Sequence, residues 1–130
     1  QGASLVGKDV LLKGDRMAVV DGVPQGSFEL ASAAGRVKVE VLSPAGLLVD
    51  TINLGAVTAG LHDVAWPAGA AKTDAANHRI RVTATSGSTD IPVTTLMRDR
   101  VDAVNTGGAS MTLELERSGR VPYAGITALD

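Results

Sequence analysis

Alternation of apolar and polar positions is sharpest at Arg36-Val37-Lys38-Val39-Glu40-Val41, where three valines take one side of an extended chain and three charges the other. That period of two predicts a half-buried strand. It returns over residues 79–85, where Ile80, Val82 and Ala84 oppose Arg79, Arg81 and Thr83. Residues 47–54 put Leu48, Ile52 and Leu54 on one face, which Asp50 interrupts. In residues 61–66, His62, Val64 and Trp66 share a face, and Pro67, having no amide hydrogen, ends the ladder. Turn residues separate these runs: Ser43-Pro44-Ala45-Gly46 predicts a turn, Gly55 and Gly60 bracket a polar connection, and Gly87-Ser88 predicts a hairpin into residues 91–97. The small-residue stretch 68–77 reads as a loop with alanines enough for one helical turn. Strands of this length and spacing predict a small β-sandwich.

The chain ends read differently. Residues 9–12 and 17–20 are short strand candidates separated by the turn Lys13-Gly14-Asp15; Asp21-Gly22 gives a further turn, and Val23-Pro24-Gln25-Gly26 a linker-like break. Residues 101–104 and 111–115 flank Asn105-Thr106-Gly107-Gly108, and residues 120–123 and 126–129 close the chain after Gly119. Neither end carries enough apolar residues for a core of its own. The expected organisation is therefore all-β, with residues 1–26 plus 94–130 closing one small discontinuous barrel and residues 27–93 inserted as the sandwich.

Composition narrows the chemistry. With 45% hydrophobic residues a buried core is feasible, but Phe28, Trp66 and Tyr123 are the whole aromatic set, so Val, Leu, Ile and Ala must fill it. Twelve Lys and Arg against 14 Asp and Glu, a net −2, with no long basic run, argue against a nucleic-acid partner. There is no cysteine, which removes disulfides and thiolate metal sites. No apolar run approaches the roughly 20 residues that span a bilayer, and no signal peptide is visible. The chain begins at Gln1 rather than Met, so the expectation is a fragment or trimmed product.

No catalytic, cofactor-binding or metal-binding residue stands out. His62 and His78 lie far apart in sequence and lack the closely spaced ligands of a zinc site. Asp74 lies in the 68–77 loop and Asp63 near its start, but there is no Asp-x-Asp-x-Asp-Gly calcium pattern, and they read as solvated turn carboxylates. Glu114 and Glu116 alternate with Leu113 and Leu115 as an exposed strand face. Gly-x-Ser-x-Gly and the phosphate-binding glycine loops are missing, and Gly107-Gly108 reads as a hairpin turn. Trp66 reads as a core anchor, with a carbohydrate-stacking platform as the competing role.

The order of several short motifs resembles the carboxy-terminal region of flagellar hook-capping proteins. Ser4-Leu5-Val6-Gly7-Lys8-Asp9-Val10 resembles the opening of that region. Leu54-Gly55, Gly60-Leu61-His62 and Ala65-Trp66 follow in the places of its glycine turn, Gly-x-His stretch and tryptophan. Arg100-Val101-Asp102-Ala103-Val104, Leu113-Glu114-Leu115 and Ile126-Thr127-Ala128-Leu129 match its closing strands. The alanine-rich residues 67–77 and Asn77-His78-Arg79 replace a Gly- and Asp-rich loop ending in Gly-x-Tyr. The resemblance implies a fibronectin-type-III-like sandwich inserted into a Tudor-like barrel. It further implies a non-enzymatic scaffold without a cofactor, exported by the flagellar type III apparatus to the distal tip of the growing hook. Its partners would be hook protein, other copies of itself in a homo-oligomeric cap and, through an amino-terminal region missing here, the export apparatus. It implies neither nucleic acid nor membrane insertion. The alternative is an adhesive or carbohydrate-binding β-module. If Trp66 anchors the core, Trp66→Ala will cost about 3–5 kcal/mol in chemical denaturation. A loss below about 1 kcal/mol would place the ring on the surface.

Overall fold

A computed structural model of the chain describes residues 5–66 and 74–129. In chain order the strands are β1 (Asp9–Lys13), β2 (Ala18–Val20), β3 (Val23–Leu30), β4 (Ala34–Leu42), β5 (Leu48–Val57), β6 (Gly60–Ala65), β7 (Arg79–Ser86), β8 (Thr89–Asp90), β9 (Val93–Asn105), β10 (Thr112–Leu115), β11 (Gly119–Pro122) and β12 (Ile126–Leu129). The fold is all-β, as the period of two predicts. Two compact units emerge, residues 14–97 and residues 1–13 with 98–130.

The central unit stacks two sheets. One runs β5-β4-β7-β8. In the other, β3 pairs with β6 on one side and with β2 and then the first residues of β9 on the other. Val37, Val39 and Val41 of β4 are fully buried, while Arg36 and Lys38 face water. Ile80 and Ala84 of β7 are likewise buried on the same face. Opposite them lie Phe28 and Leu30 of β3, Val64 of β6, and Trp66. The sheets approach closely because β3 carries Gly26 there: a Cβ at that position would stand 2.8 Å from Cδ1 of Ile80.

Several connections differ from their sequence reading. Val23-Pro24-Gln25-Gly26 is the start of β3 rather than a linker, joined to β2 by a two-residue turn in which Asp21 (φ 51) and Gly22 (φ 80) are both left-handed. Pro24 is tolerated there because it stands opposite Val19 in the hairpin position whose amides point away from the partner strand, and its carbonyl accepts the Trp66 amide at 2.9 Å. Lys13-Gly14-Asp15 does not join a hairpin; the Gly14 amide bonds the Thr95 carbonyl and the Asp15 carbonyl accepts the Ile80 amide. Gly87-Ser88 does turn a hairpin, but only Thr89–Asp90 returns along β7. Pro92 then stands before β9, which pairs with β3 in the other sheet. Of the 68–77 stretch, residues 68–73 lie outside the described residues; Ala75–Asn77 forms one 3-10 turn.

The terminal unit is one sheet in the order β11-β10-β9-β1-β12, to which β9 contributes its second half. Val10, Val101 and Leu113 are fully buried in it, with Leu115 beside them. Glu114 stands directly opposite Arg120 and forms an ion pair with it on the exposed face. The turn from β10 to β11 is held by Asp99, which is 3% exposed. Its Oδ1 accepts the amides of Arg100 and Arg117 at 2.8 and 3.0 Å, and its Oδ2 the amide of Ser118 at 2.8 Å. A buried carboxylate satisfied by main-chain donors is a structural element, and removing it orphans those amides. Asp99→Ala should therefore cost at least about 2 kcal/mol in urea denaturation. An unchanged midpoint would show that water replaces the carboxylate.

Candidate functional site: the outer edge of the central sheet

The polar residues that sequence reasoning set apart are each used within the fold. His62 is half-buried on β6, packs against the Phe28 ring at 5.5 Å between centroids, and bonds the Thr58 carbonyl through Nε2 at 2.7 Å. His78 is buried, stacks on Trp66 at 5.1 Å and uses Nδ1 on the Asp74 carbonyl at 2.9 Å. The two histidines thus serve different contacts. Asp63 accepts the Ser27 hydroxyl across the β3–β6 pair at 2.6 Å, and Asp74 accepts the Asn77 side-chain amide. Glu114 lies on the exposed face of β10, Glu116 donates its amide to the Arg100 carbonyl, and Gly107 turns against Asn105 Oδ1. Among the described residues no three His, Cys, Asp or Glu side chains stand together to hold a metal ion. None of their helices is long and apolar enough to cross a membrane.

Trp66 is 2% exposed, and its indole N–H donates to Asp50 Oδ2 at 2.9 Å. A sugar platform needs a ring face open to solvent, so the ring serves the core and the carbohydrate reading loses the residue that carried it. Asp50, which interrupts the apolar face of β5, is there to receive the indole.

What remains for function is surface, and its most distinctive part is β5. Hydrogen bonding through the sheet fixes which of its groups are free. In β7 the Ile80 amide bonds Asp15 and the Ala84 carbonyl bonds Ile91, so even-numbered residues point away from β4 and odd-numbered ones toward it. Within β4 the even residues therefore face β7 and the odd ones face β5. Val39 and Val41 pair with Ile52 and Asp50, which leaves the main-chain groups of Thr51 and Asn53 pointing off the edge. The Thr51 amide is taken by Asp50 Oδ1 at 2.8 Å.

The side chains along this edge are uncharged apart from Asp50. Leu47, Leu48 and Val49 at its start are 69, 55 and 48% exposed. Edge strands are commonly blunted by charges, proline or β-bulges, and β5 carries an inward aspartate together with register shifts on both sides of residues 50–53. The opposite edge, β8, is only two residues long. On the outer face Arg81 hydrogen-bonds Glu40 at 2.9 Å, and this contact holds the Glu40 carboxyl below its ordinary value and raises Arg81. Arg81 is open to solvent while Glu40 is largely covered, so water screens the pair from the arginine side and it contributes little, and only above the carboxyl's folded pKa. Sequence reasoning took residues 47–54 as a core strand, and the edge role had one signal there: exposed Leu47-Leu48-Val49 directly after a turn.

Comparison with known proteins converges on one family. Residues 14–88, which fall inside the central unit, match the family model described as the FlgD Ig-like domain. The basal-body rod modification protein FlgD of Escherichia coli (strain K12) is 26% identical over 130 residues, covering 92% of this chain and 56% of that protein. The chain thus spans about half the length of the curated relative it matches. Among solved structures, FlgD from P. aeruginosa superposes with a TM-score of 0.69 at 24% identity, covering 97% of this chain and 98% of that one. FlgD from Xanthomonas campestris, solved for insight into the hook capping essential for flagellar assembly, gives 0.70 at 24% identity over 98% and 96%. These two likenesses establish the fold.

Trp66 is the sole tryptophan, so its fluorescence reports this site alone. Emission should lie well to the blue of solvated indole and resist quenching by iodide. Strong iodide quenching would put the ring in solvent and restore the platform reading.

Proposed function

We propose, from the premise that this chain belongs to the FlgD family through its Ig-like domain, that it is part of a scaffold capping the growing flagellar hook. The match over residues 14–88 carries this reading. The scaffold works by surface complementarity rather than by catalysis: the polar side chains that could do chemistry are engaged in packing, turns and capping. Its partners are the flagellar hook protein and further copies of itself. Made in the cytoplasm and exported by the flagellar type III apparatus, it acts at the distal tip of the hook, with export contacts supplied by an amino-terminal region outside this chain. The terminal unit is a Tudor-like barrel and the inserted one a fibronectin-type-III-like sandwich.

Complementation tests this directly. The full-length protein containing this chain, expressed in a hook-cap-deficient strain of its own host, should restore hooks. Deletion of residues 1–130 should leave hook protein secreted into the medium while hooks fail to grow. Hooks of normal length after the deletion, or no restoration by the full-length protein, would overturn the assignment.

A further inference from the structure

The sheet formed by β3, β6 and the first residues of β9 has a second face, turned away from the valine core. We propose that a trough on this face, ending at the Glu29 carboxylate, receives an arginine side chain of a protein partner. This rests on the reading that the protein works by surface contact, and it names one point of that contact.

Register places the residues. β3 pairs with β6 and with β9 without a shift, so Glu29 lies directly between Leu61 and Thr94. Phe28 and Leu30 belong to the core, which turns Glu29 to the other face. The Ser27 hydroxyl bonds Asp63 on that face, two residues along both strands, and so fixes the side. Beyond Glu29 the side chains are short. Ala31, Ala59, Gly60 and Pro92 leave a cavity of about 460 Å³, with Glu29 and Thr94 at its end. Ala31, Ala59 and Pro92 are exposed, so the cavity opens to water.

Glu29 is half-buried, and among the described residues its carboxylate has neither an ion pair nor a hydrogen bond. The Thr94 hydroxyl beside it is likewise unengaged. Among the described residues no buried side-chain oxygen lacks a partner, so the oxygens of these two residues are within reach of a ligand. A partly desolvated carboxylate gains most from a cation that keeps it hydrogen-bonded. A guanidinium fits this setting better than an ammonium. Two of its N–H groups span the carboxylate, a third can reach the Thr94 hydroxyl, and its flat face lies on the short side chains of the trough. Leu61, 45% exposed beside Glu29, offers the methylene stem an apolar surface. The chain's own arginines are largely committed: Arg79 to Asp15, Arg81 to Glu40, Arg98 to Asp9 and Arg120 to Glu114. A chain of different sequence is therefore the better donor.

The test uses the purified chain and arginine blocked at both ends, N-acetyl-arginine methylamide, titrated while amide NMR shifts are followed. Shifts should concentrate at Glu29, Ala31, Gly60, Leu61 and Thr94 and shrink as salt is raised. Glu29→Gln, which keeps the shape and removes the charge, should weaken binding at least about fivefold, and Thr94→Val about two- to threefold. Ala31→Leu leaves both polar groups in place and fills the trough, so it should weaken binding as well. Unchanged Trp66 emission in each variant reports an intact sandwich. Blocked lysine should bind more weakly than blocked arginine, and blocked citrulline, which keeps the shape without the charge, should not bind measurably. Shifts that are absent or scattered over the surface, indifference to Glu29→Gln, or equal binding of lysine and arginine would each overturn the proposal. So would weaker self-association of the Glu29→Gln variant in sedimentation, which would assign the trough to a second copy. All of these outcomes concern the purified chain, so they leave the scaffold reading, tested by hook growth, untouched.

Discussion

The central unit depends on enclosing three valines of β4. Val37, Val39 and Val41 have no exposure at all, which requires β5 and β7 on either side and a second sheet above. Burying side chains of this size contributes about 1.5–3 kcal/mol each relative to exposure. With so few aromatics, the core cannot rely on large rings to fill an irregular gap, and the sheets must come close. Gly26 against Ile80 is where that closeness is visible, and Trp66 belongs to the same core.

Closeness of that kind has consequences for every polar group near the core. The Trp66 indole would be left without an acceptor inside an apolar layer, a loss of about 1–3 kcal/mol. Asp50 supplies the acceptor from the edge strand, where its second oxygen remains free to reach the Thr51 amide. One carboxylate thus connects the inside of the sandwich to its rim. Asp99 plays an analogous part in the terminal unit, turned inward onto three amides instead of outward to solvent. Side chains committed in this way are poor candidates for reaction chemistry, because moving them would expose the partners they satisfy.

How far the sequence shows this depends on whether a residue's role is local. Strands β4 and β7 are legible because alternation directly records which side is buried, and the Trp66 face follows from the same rule. The start of β3 is not: Pro24 and Gly26 look like a break, yet proline fits an unbonded hairpin position and glycine answers to Ile80 in the opposite sheet. Asp50 registers only as an interruption, since its partner is 16 residues away in the chain and across the sandwich. Asp99 sits in a run of alternating charges, and nothing local marks it as buried. The destination of β9 is equally hidden, because Pro92 ends one pairing without indicating the next.

The two edges of the β5-β4-β7-β8 sheet show why an interaction surface can be argued where no reactive site exists. The chain leaves β8 after two residues and crosses to the other sheet, so that edge is short and carries Asp90. β5 runs for ten residues, must pair with β4 to cover the valines, and cannot be shortened without opening the core. A long edge is therefore a by-product of enclosing that core. The apolar Leu47, Leu48 and Val49 remain exposed there, while bulges on both sides of residues 50–53 and an aspartate held by the core tryptophan break its regularity.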